Sequence, residues 1–201
     1  MKRLLVFLLA ASLGWADIDL TPHQSVRELQ GCKFPEIRFR SRDGEIAYEP
    51  PNGWAPSGRG KSQVYFYIAD KPQAYARIEE VSVDPEEFDE TFVAQLKAEL
   101  IKALPEGSKS IVITREVASP LTINKHDTYE AVVNFVVNAQ RFTTSVLFLN
   151  LKNSQLRFTV STPESMFEEL HDRFTQSLYS WQWLDLPAQR SEFRQSSLRL
   201  R

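Results

Sequence analysis

Apolar and polar positions alternate in several short segments of the chain, and this period of two predicts strands that bury one face. The alternation is clear at 37–40, and Asp43-Gly44 then predicts a hairpin turn. Further strands are predicted at 46–48, 64–68, 74–83, 111–117, 121–123, 129–137, 142–151 and 156–161. Residues 17–35 lack a sustained period and are interpreted as a polar leader, and residues 52–62 are interpreted as a loop.

Two segments show the spacing of three and four residues that is typical of amphipathic helices. For the first helix, Asp84 is predicted to be the N-cap, with Pro85 at the first position and Glu87 completing a capping box. Its apolar positions are Phe88, Phe92, Val93, Leu96, Leu100, Ile101 and Leu104. The second helix starts at 162–164, and its apolar positions are Phe167, Leu170, Phe174, Leu178 and Trp181. Strands, a helix, further strands and a second helix predict an α+β fold in which helices cover an antiparallel sheet.

The first sixteen residues have the pattern of a secretory signal peptide. Two basic residues precede an apolar run at 4–13, which is too short to span a bilayer as a helix, and small residues stand at 14 and 16. We therefore expect cleavage after Ala16, a secreted or periplasmic location and no transmembrane segment after cleavage. An uncleaved anchor is the alternative, and the acidic Asp17 and Asp19 directly after the run disfavour it.

The charge of the mature chain narrows the classes of possible partner, and its cysteine content bears on disulfides and lipidation. Cleavage would leave 22 Lys and Arg side chains against 26 Asp and Glu, a net charge of −4, which indicates neither nucleic acid nor anionic lipid as a partner. Cys32 is the only cysteine, so an internal disulfide is excluded. The segment 29–32 superficially resembles a lipoprotein processing box, but polar residues separate it from the apolar run, so a structural or weakly reactive thiol is favoured.

The segment Gly58-Arg59-Gly60-Lys61-Ser62 resembles the end of a phosphate-binding loop. The first glycine of that motif is replaced by Ala55, and the residues after Ser62 predict a strand. No helix N-terminus would then face a phosphate, so the segment is interpreted as a surface loop.

Catalytic and metal-binding motifs are not apparent in the sequence. His23, His126 and His171 have no partner at ligand spacing except an adjacent aspartate, and adjacent side chains point in different directions. We therefore expect a protein that is not an enzyme and that holds neither a cofactor nor a metal. A hydrolase in which His126 or His171 meets its partners only in space is a lesser alternative.

Tyrosines give the sequence its candidate interaction surface. Tyr65 and Tyr67 project from one face of a predicted strand, and Tyr75 begins the next strand. Such rings can contact a partner protein. The alternative, which the general preference of aromatic rings for packed surroundings favours, is that they lie beneath a helix with their hydroxyls at the rim. The candidate partner-binding residues are Trp54, Arg59, Lys61, Tyr65 and Tyr67.

Several short motifs resemble the PsbP-like domains. These are Asp43-Gly44, the segment Pro51-Asn52-Gly53-Trp54, the helix start at 84–88 and the closing segment 174–181. The resemblance covers residues 36–183 and implies an αβα sandwich around an antiparallel sheet. The wider group includes the Ran-binding protein Mog and bacterial periplasmic DcrB-like proteins, and it implies a binding or assembly factor. No functional residue of the family matches a position here, and 124–127 lacks the glycine that the family often has before the following strand.

The expected organisation is a signal peptide at 1–16, a leader at 17–35, a PsbP-like domain at 36–184 and an Arg-bearing polar tail at 185–201. The expected function is that of an exported, non-enzymatic accessory protein acting through protein–protein contacts in the cell envelope. A periplasmic carrier that holds a small apolar ligand between the sheet and a helix is the alternative.

Overall fold

Two antiparallel sheets and two helices make up the computed structural model, which describes residues 17–84 and 86–185. The smaller sheet contains, in spatial order, β1 (Ile18–Leu29), β2 (Cys32–Ser41), β3 (Gly44–Tyr48) and β11 (Gln182–Asp185). The larger sheet contains β4 (Trp54–Gly58), β5 (Gln63–Ile68), β6 (Tyr75–Val81), β10 (Gln155–Pro163), β9 (Gln140–Asn150), β8 (Thr128–Val137) and β7 (Lys109–Ala118). The helices are α1 (Glu90–Lys102) and α2 (Phe167–Ser177).

The two helices cover opposite faces of the larger sheet. Side chains on successive residues of a strand point to opposite faces, so Val132 and Val133 on β8 lie in two different hydrophobic cores. Val133 clusters with the apolar side chains of α1, and Val132 clusters with those of α2. The predicted α+β fold, an αβα sandwich with an antiparallel sheet, is therefore confirmed.

The core on the α2 side of the larger sheet is the larger of the two, and it also contains side chains of the smaller sheet. Trp181 lies at the centre of this larger core, where the smaller sheet meets the larger one. Its ring is 5.6 Å from that of Phe39 and 5.7 Å from that of Tyr48, both in the smaller sheet. On the other side it meets Phe158 of β10 edge-to-face, with centroids 5.3 Å apart. The end of the α2 segment thus joins the two sheets.

Two segments without a clear sequence period form strands. Residues 17–35 are not an irregular leader, because they form β1 and the start of β2. Only Ile18 and Leu20 of β1 are buried, and the rest of β1 and the first residues of β2, up to Pro35, lie outside the core, so these residues show no alternation. Within 52–62, which we interpreted as a loop, Trp54–Gly58 forms the edge strand β4. A short edge strand with one buried side chain leaves little trace in a sequence.

The first helix begins later than predicted. Its N-cap is Asp89, whose Oδ1 accepts a hydrogen bond from the backbone N–H of Phe92 at 2.8 Å, so Asp84 has no capping role. Phe88 stacks on Phe92 with centroids 6.1 Å apart, and this contact favours a start at Glu90. Pro85 lies outside the described residues. At the other end, Ile101 was predicted to belong to the buried apolar stripe but is 39% exposed.

Replacing the cap tests this assignment. We expect Asp89→Ala to lower the free energy of unfolding by about 1 kcal/mol, because an N–H in the first turn loses its acceptor. The matched control is Asp84→Ala, which removes the same group outside the helix and should change stability by less than about 0.5 kcal/mol. Urea unfolding followed by circular dichroism measures both, and an equal loss in the two variants would contradict the assignment.

The other predicted elements lie within a few residues of their predicted bounds, except that 121–123 makes only a single bridge, between Ile123 and His126. Strand β11, which follows Trp181, was not predicted. The predicted signal peptide, and the predicted tail apart from the backbone of Asp185, lie outside the described residues. Within the part of the chain that the structure describes, no helix combines the length and hydropathy that a membrane span requires.

Candidate functional site

Three tyrosines gather on the face of β5 and β6 that points away from the larger core. Val64 and Phe66 of β5 are fully buried in that core, so the alternation of the strand places Tyr65 and Tyr67 on the opposite face. The rings of these two tyrosines stack with centroids 5.9 Å apart and planes at 7°. Tyr75 at the start of β6 joins them, with its ring 5.7 Å from that of Tyr65.

Arginines flank the tyrosines on both sides. Arg59, in the turn between β4 and β5, places its guanidinium carbon 5.0 Å from the centre of the Tyr65 ring, and its Nη2 donates to the Tyr67 hydroxyl at 3.4 Å. Arg77 on β6 lies 6.0 Å from the same ring. We call Arg59, Tyr65, Tyr67, Tyr75 and Arg77 the tyrosine–arginine surface.

The two arginines differ in their charge partners. Arg77 donates to Glu79 at 2.9 Å and is therefore neutralised locally. Arg59 is exposed, and within the described residues it takes part in no salt bridge. Its cation is held in place by aromatic faces, and its remaining N–H donors are available to a carboxylate from outside.

Burial raises the pKa of Tyr75, and this effect outweighs the nearby charge of Arg77, which lowers it. The phenol therefore stays neutral at physiological pH. The surface presents a fixed positive charge beside neutral aromatic rings, which suits recognition better than proton transfer.

A groove separates this surface from the end of α1. Its volume of about 60 Å³ leaves room for a few water molecules. The polar side chains along it include Glu79, Glu99, Thr144, Arg157 and Ser161. Arg157 already donates to Glu99 across the groove at 2.6 Å. The groove gives no support to an apolar ligand between the sheet and α1, and on the α2 side the corresponding space holds packed aromatic rings.

Two of the five predicted partner-binding residues lie elsewhere. Trp54 is only 5% exposed and stacks on Phe174 of α2, with centroids 5.9 Å apart and planes at 2°, so it belongs to the core face of the sheet. Lys61 is exposed near Asp19, with Nζ 3.6 Å from Oδ2, and its carbonyl accepts from the N–H of Leu20 at 2.7 Å. The structure thus brings together Arg59, Tyr65 and Tyr67, and separates them from Trp54 and Lys61.

The segment that resembles a phosphate-binding loop is the turn of the β4–β5 hairpin. Gly60 has φ of +84°, a conformation that glycine adopts without strain. As predicted, a strand and not a helix follows Ser62. The turn therefore places Arg59 over the tyrosines and offers no helix N-terminus to an anion.

A buried acid–base pair lies beneath α2, where sequence reasoning did not place one. His171 Nε2 lies 2.6 Å from Glu130 Oε1, and Ser145 Oγ donates to the same oxygen at 2.6 Å. Arg115 Nη2 is 3.7 Å from the other carboxylate oxygen. Glu130 and His171 are 41 residues apart, so no local motif could reveal the pair.

The contacts of the same pair favour the ionised carboxylate of Glu130. Burial raises the pKa of Glu130, but the hydrogen bonds from His171 and Ser145, together with the charges of His171 and Arg115, outweigh it and lower the pKa below its ordinary value. Ser145 donates to Glu130 and not to the imidazole, so the histidine activates no hydroxyl nucleophile. His126 makes a backbone bridge to Ile123. In residues 17–84 and 86–185, no group of three His, Cys, Asp or Glu side chains could hold a metal ion.

No protein-family model and no curated protein sequence matches the chain. Among solved structures, the chain is similar to the Ran-binding protein Mog1p from Saccharomyces cerevisiae, at 12% identity and a TM-score of 0.51, over 82% of this chain and 97% of Mog1p. It is also similar to PsbP (CyanoP) from Synechocystis sp. PCC 6803, at 13% identity and a TM-score of 0.50, over 86% of this chain and 96% of CyanoP. At these identities the likeness establishes the fold alone. The resemblance inferred from the sequence is confirmed at that level: the protein has the PsbP/Mog1-like α+β fold.

Proposed function

We propose that this protein is an exported, non-enzymatic accessory protein that binds a partner protein in the cell envelope through its tyrosine–arginine surface. The observation that carries the proposal is Arg59, an exposed guanidinium that lies over the Tyr65 ring with no salt bridge to the described residues. Export rests on the signal-peptide pattern of the first sixteen residues.

The chemistry of the surface defines the partner that it fits. Tyrosine and arginine are enriched among residues that dominate binding energy, because rigid rings and a planar cation make large contacts at low entropic cost. Arg59 needs a carboxylate, and the stacked rings of Tyr65 and Tyr67 offer a flat apolar area beside it. The partner is therefore a protein surface with an acidic side chain next to apolar atoms.

The contacts of the buried acid–base pair beneath α2, and the nature of a fold neighbour, support a binding role. Ser145 donates to Glu130 and not to His171, so the Glu130–His171 pair activates no hydroxyl nucleophile. Mog1p, which has a similar fold, is a Ran-binding protein, so the fold is compatible with recognition of proteins. That comparison supports a class of function and identifies no partner for this chain.

The binding surface can be tested with a photo-crosslinking residue in place of Tyr67 in the full chain, exported to a bacterial envelope. The control places the same residue at Tyr179, which is 70% exposed and lies after α2. We expect one protein to be crosslinked at position 67 and not at position 179. Equal crosslinking at both positions would show that the contact is non-specific and would contradict the proposal.

The affinity of the crosslinked protein then tests Arg59 directly. We expect Arg59→Glu to weaken binding by about thirtyfold, or about 2 kcal/mol, because the carboxylate of the partner would meet a like charge. Arg141→Glu is the control, since Arg141 is equally charged and 76% exposed at a different part of the sheet. If Arg59→Glu binds the partner with unchanged affinity and has an unchanged melting temperature, Arg59 is not part of the binding site.

A further inference from the structure

Glu80 is an acidic residue on the buried face of a strand. It follows Ala76 and Ile78 in the inward-facing positions of β6 and is only 5% exposed. Burying a carboxylate is costly unless hydrogen bonds and an opposite charge compensate for it. Strand packing alone therefore does not explain why a carboxylate is buried at this position.

Three donors reach the Glu80 carboxylate, and all three are neutral in the chain as synthesised. Oε2 accepts from the backbone N–H of Ile18 at 2.9 Å, and Oε1 accepts from Ser154 Oγ at 2.7 Å. Oε1 also accepts from the backbone nitrogen of Asp17 at 3.2 Å. Within the described residues, no Lys, Arg or His forms a salt bridge with Glu80, so its charge has no counter-ion there.

The nitrogen of Asp17 is also the atom that signal-peptide cleavage would release. Small residues at 14 and 16 predict cleavage after Ala16, and that prediction uses no information about Glu80. Water adds across the Ala16–Asp17 amide, which gives a carboxylate on Ala16 and an amine on Asp17 that takes up a proton. Two independent observations, one from sequence and one from geometry, thus meet at the same atom.

We propose that Glu80 is a receptor for the mature N-terminus: cleavage after Ala16 creates an α-ammonium group on Asp17 that forms an ion pair with the buried carboxylate. The distance of 3.2 Å already falls within the N···O separation of an ion pair, which extends to about 4 Å. Processing would then supply the missing counter-ion and fasten the start of β1 to β6 of the larger sheet. The inference rests on the export part of the proposed function and goes beyond its binding part, because it holds for any partner and any binding surface.

The test begins with the full chain exported to a bacterial periplasm, where intact mass gives the residue at the new N-terminus. We expect Asp17. The α-amine is then acylated near neutral pH in the native and the urea-unfolded protein, and the label is located by peptide mapping. An ion-paired ammonium holds its proton more tightly, so we expect the native amine to react at least about tenfold more slowly.

Variants separate the pairing from simple burial. We expect Glu80→Gln to restore the reactivity of the amine, whereas Glu36→Gln should leave it protected, since Glu36 is an equally buried carboxylate that pairs with Arg38 instead. A glycine inserted between Ala16 and Asp17 becomes the new N-terminal residue and moves the α-amine one residue, about 3.8 Å, away from the Asp17 nitrogen. This insertion should also restore the reactivity of the amine without disturbing the core.

Three results would overturn the proposal. The first is a mature N-terminus at another residue, and the second is an amine that reacts equally fast in native and unfolded protein. The third is protection that survives Glu80→Gln and the glycine insertion. If Glu80→Gln does not fold, the comparison of native with unfolded wild type and the insertion still decide the question.

Discussion

Replacing Trp181 with alanine is expected to lower the free energy of unfolding by about 3–5 kcal/mol, the cost of removing a large aromatic ring from a packed core. The indole is 2% exposed and touches rings from both sheets, including Phe39, Tyr48 and Phe158. The cavity could close only if one sheet moved towards the other. Such a loss is a large part of the total stability of an ordinary domain.

Urea unfolding followed by circular dichroism measures the effect of Trp181→Ala. Tyr179→Ala is the matched control, because it removes a ring only two residues away that is 70% exposed, and it should change stability by less than about 0.5 kcal/mol. A loss below about 1 kcal/mol for Trp181→Ala would mean that the sheets are not joined at this residue. A smaller slope of the unfolding free energy against urea concentration would indicate that the smaller sheet unfolds separately.

The helical stripe of α2 was predictable because its contacts are periodic. Phe167, Leu170, Phe174, Leu178 and Trp181 are all buried as their spacing predicts. Strand β1 was not predictable in this way. Its hairpin leaves the core after Leu20, so side chains on both faces meet solvent and no period of two can appear.

Part of the candidate site was also visible in the sequence. Tyr65 and Tyr67 are two residues apart on one strand, so a shared face follows from the pleat alone. Arg59 reaches them only because β4 pairs with β5, and the sequence hides β4 in what looks like a loop. Trp54 was grouped with these residues because of its family-like motif, but its ring faces the core and stacks on Phe174, because the face that a lone tryptophan occupies depends on the register of its strand.

Contacts between distant residues could not be predicted from patterns. Glu130 and His171 are 41 residues apart, and Glu80 and Asp17 are 63 apart. In each case a buried acidic residue stands in an otherwise ordinary strand, and its partner is fixed by how the sheets and helices pack. An acidic residue at an inward-facing strand position is the one local signal that such a partner exists.

Removing the carboxylate of Glu130 is expected to be the second large effect, with Glu130→Ala lowering the free energy of unfolding by about 3 kcal/mol. The substitution leaves His171 and Ser145 without the acceptor that they share and removes the carboxylate that pairs with Arg115. Breaking a buried pair by removing one partner is strongly destabilising. Glu130→Gln keeps the size of the side chain and should cost less. Glu164→Ala is the control, since that carboxylate is exposed on the 3₁₀ turn before α2.

The same carboxylate predicts how stability changes with pH. Burial raises the pKa of Glu130 in the folded protein, but hydrogen bonds and charges from His171, Ser145 and Arg115 outweigh this effect and lower the pKa below its ordinary value. The folded state therefore binds this proton less tightly than the unfolded state. The resulting stability is fully present above the unfolded pKa and is lost as the pH falls through the lower folded value. Between about pH 7 and pH 3, urea unfolding should show that the free energy of unfolding falls more steeply with acid for wild type than for Glu130→Gln. Parallel curves for the two proteins would mean that Glu130 has the same proton affinity folded and unfolded, and that the His171 contact does not hold it ionised.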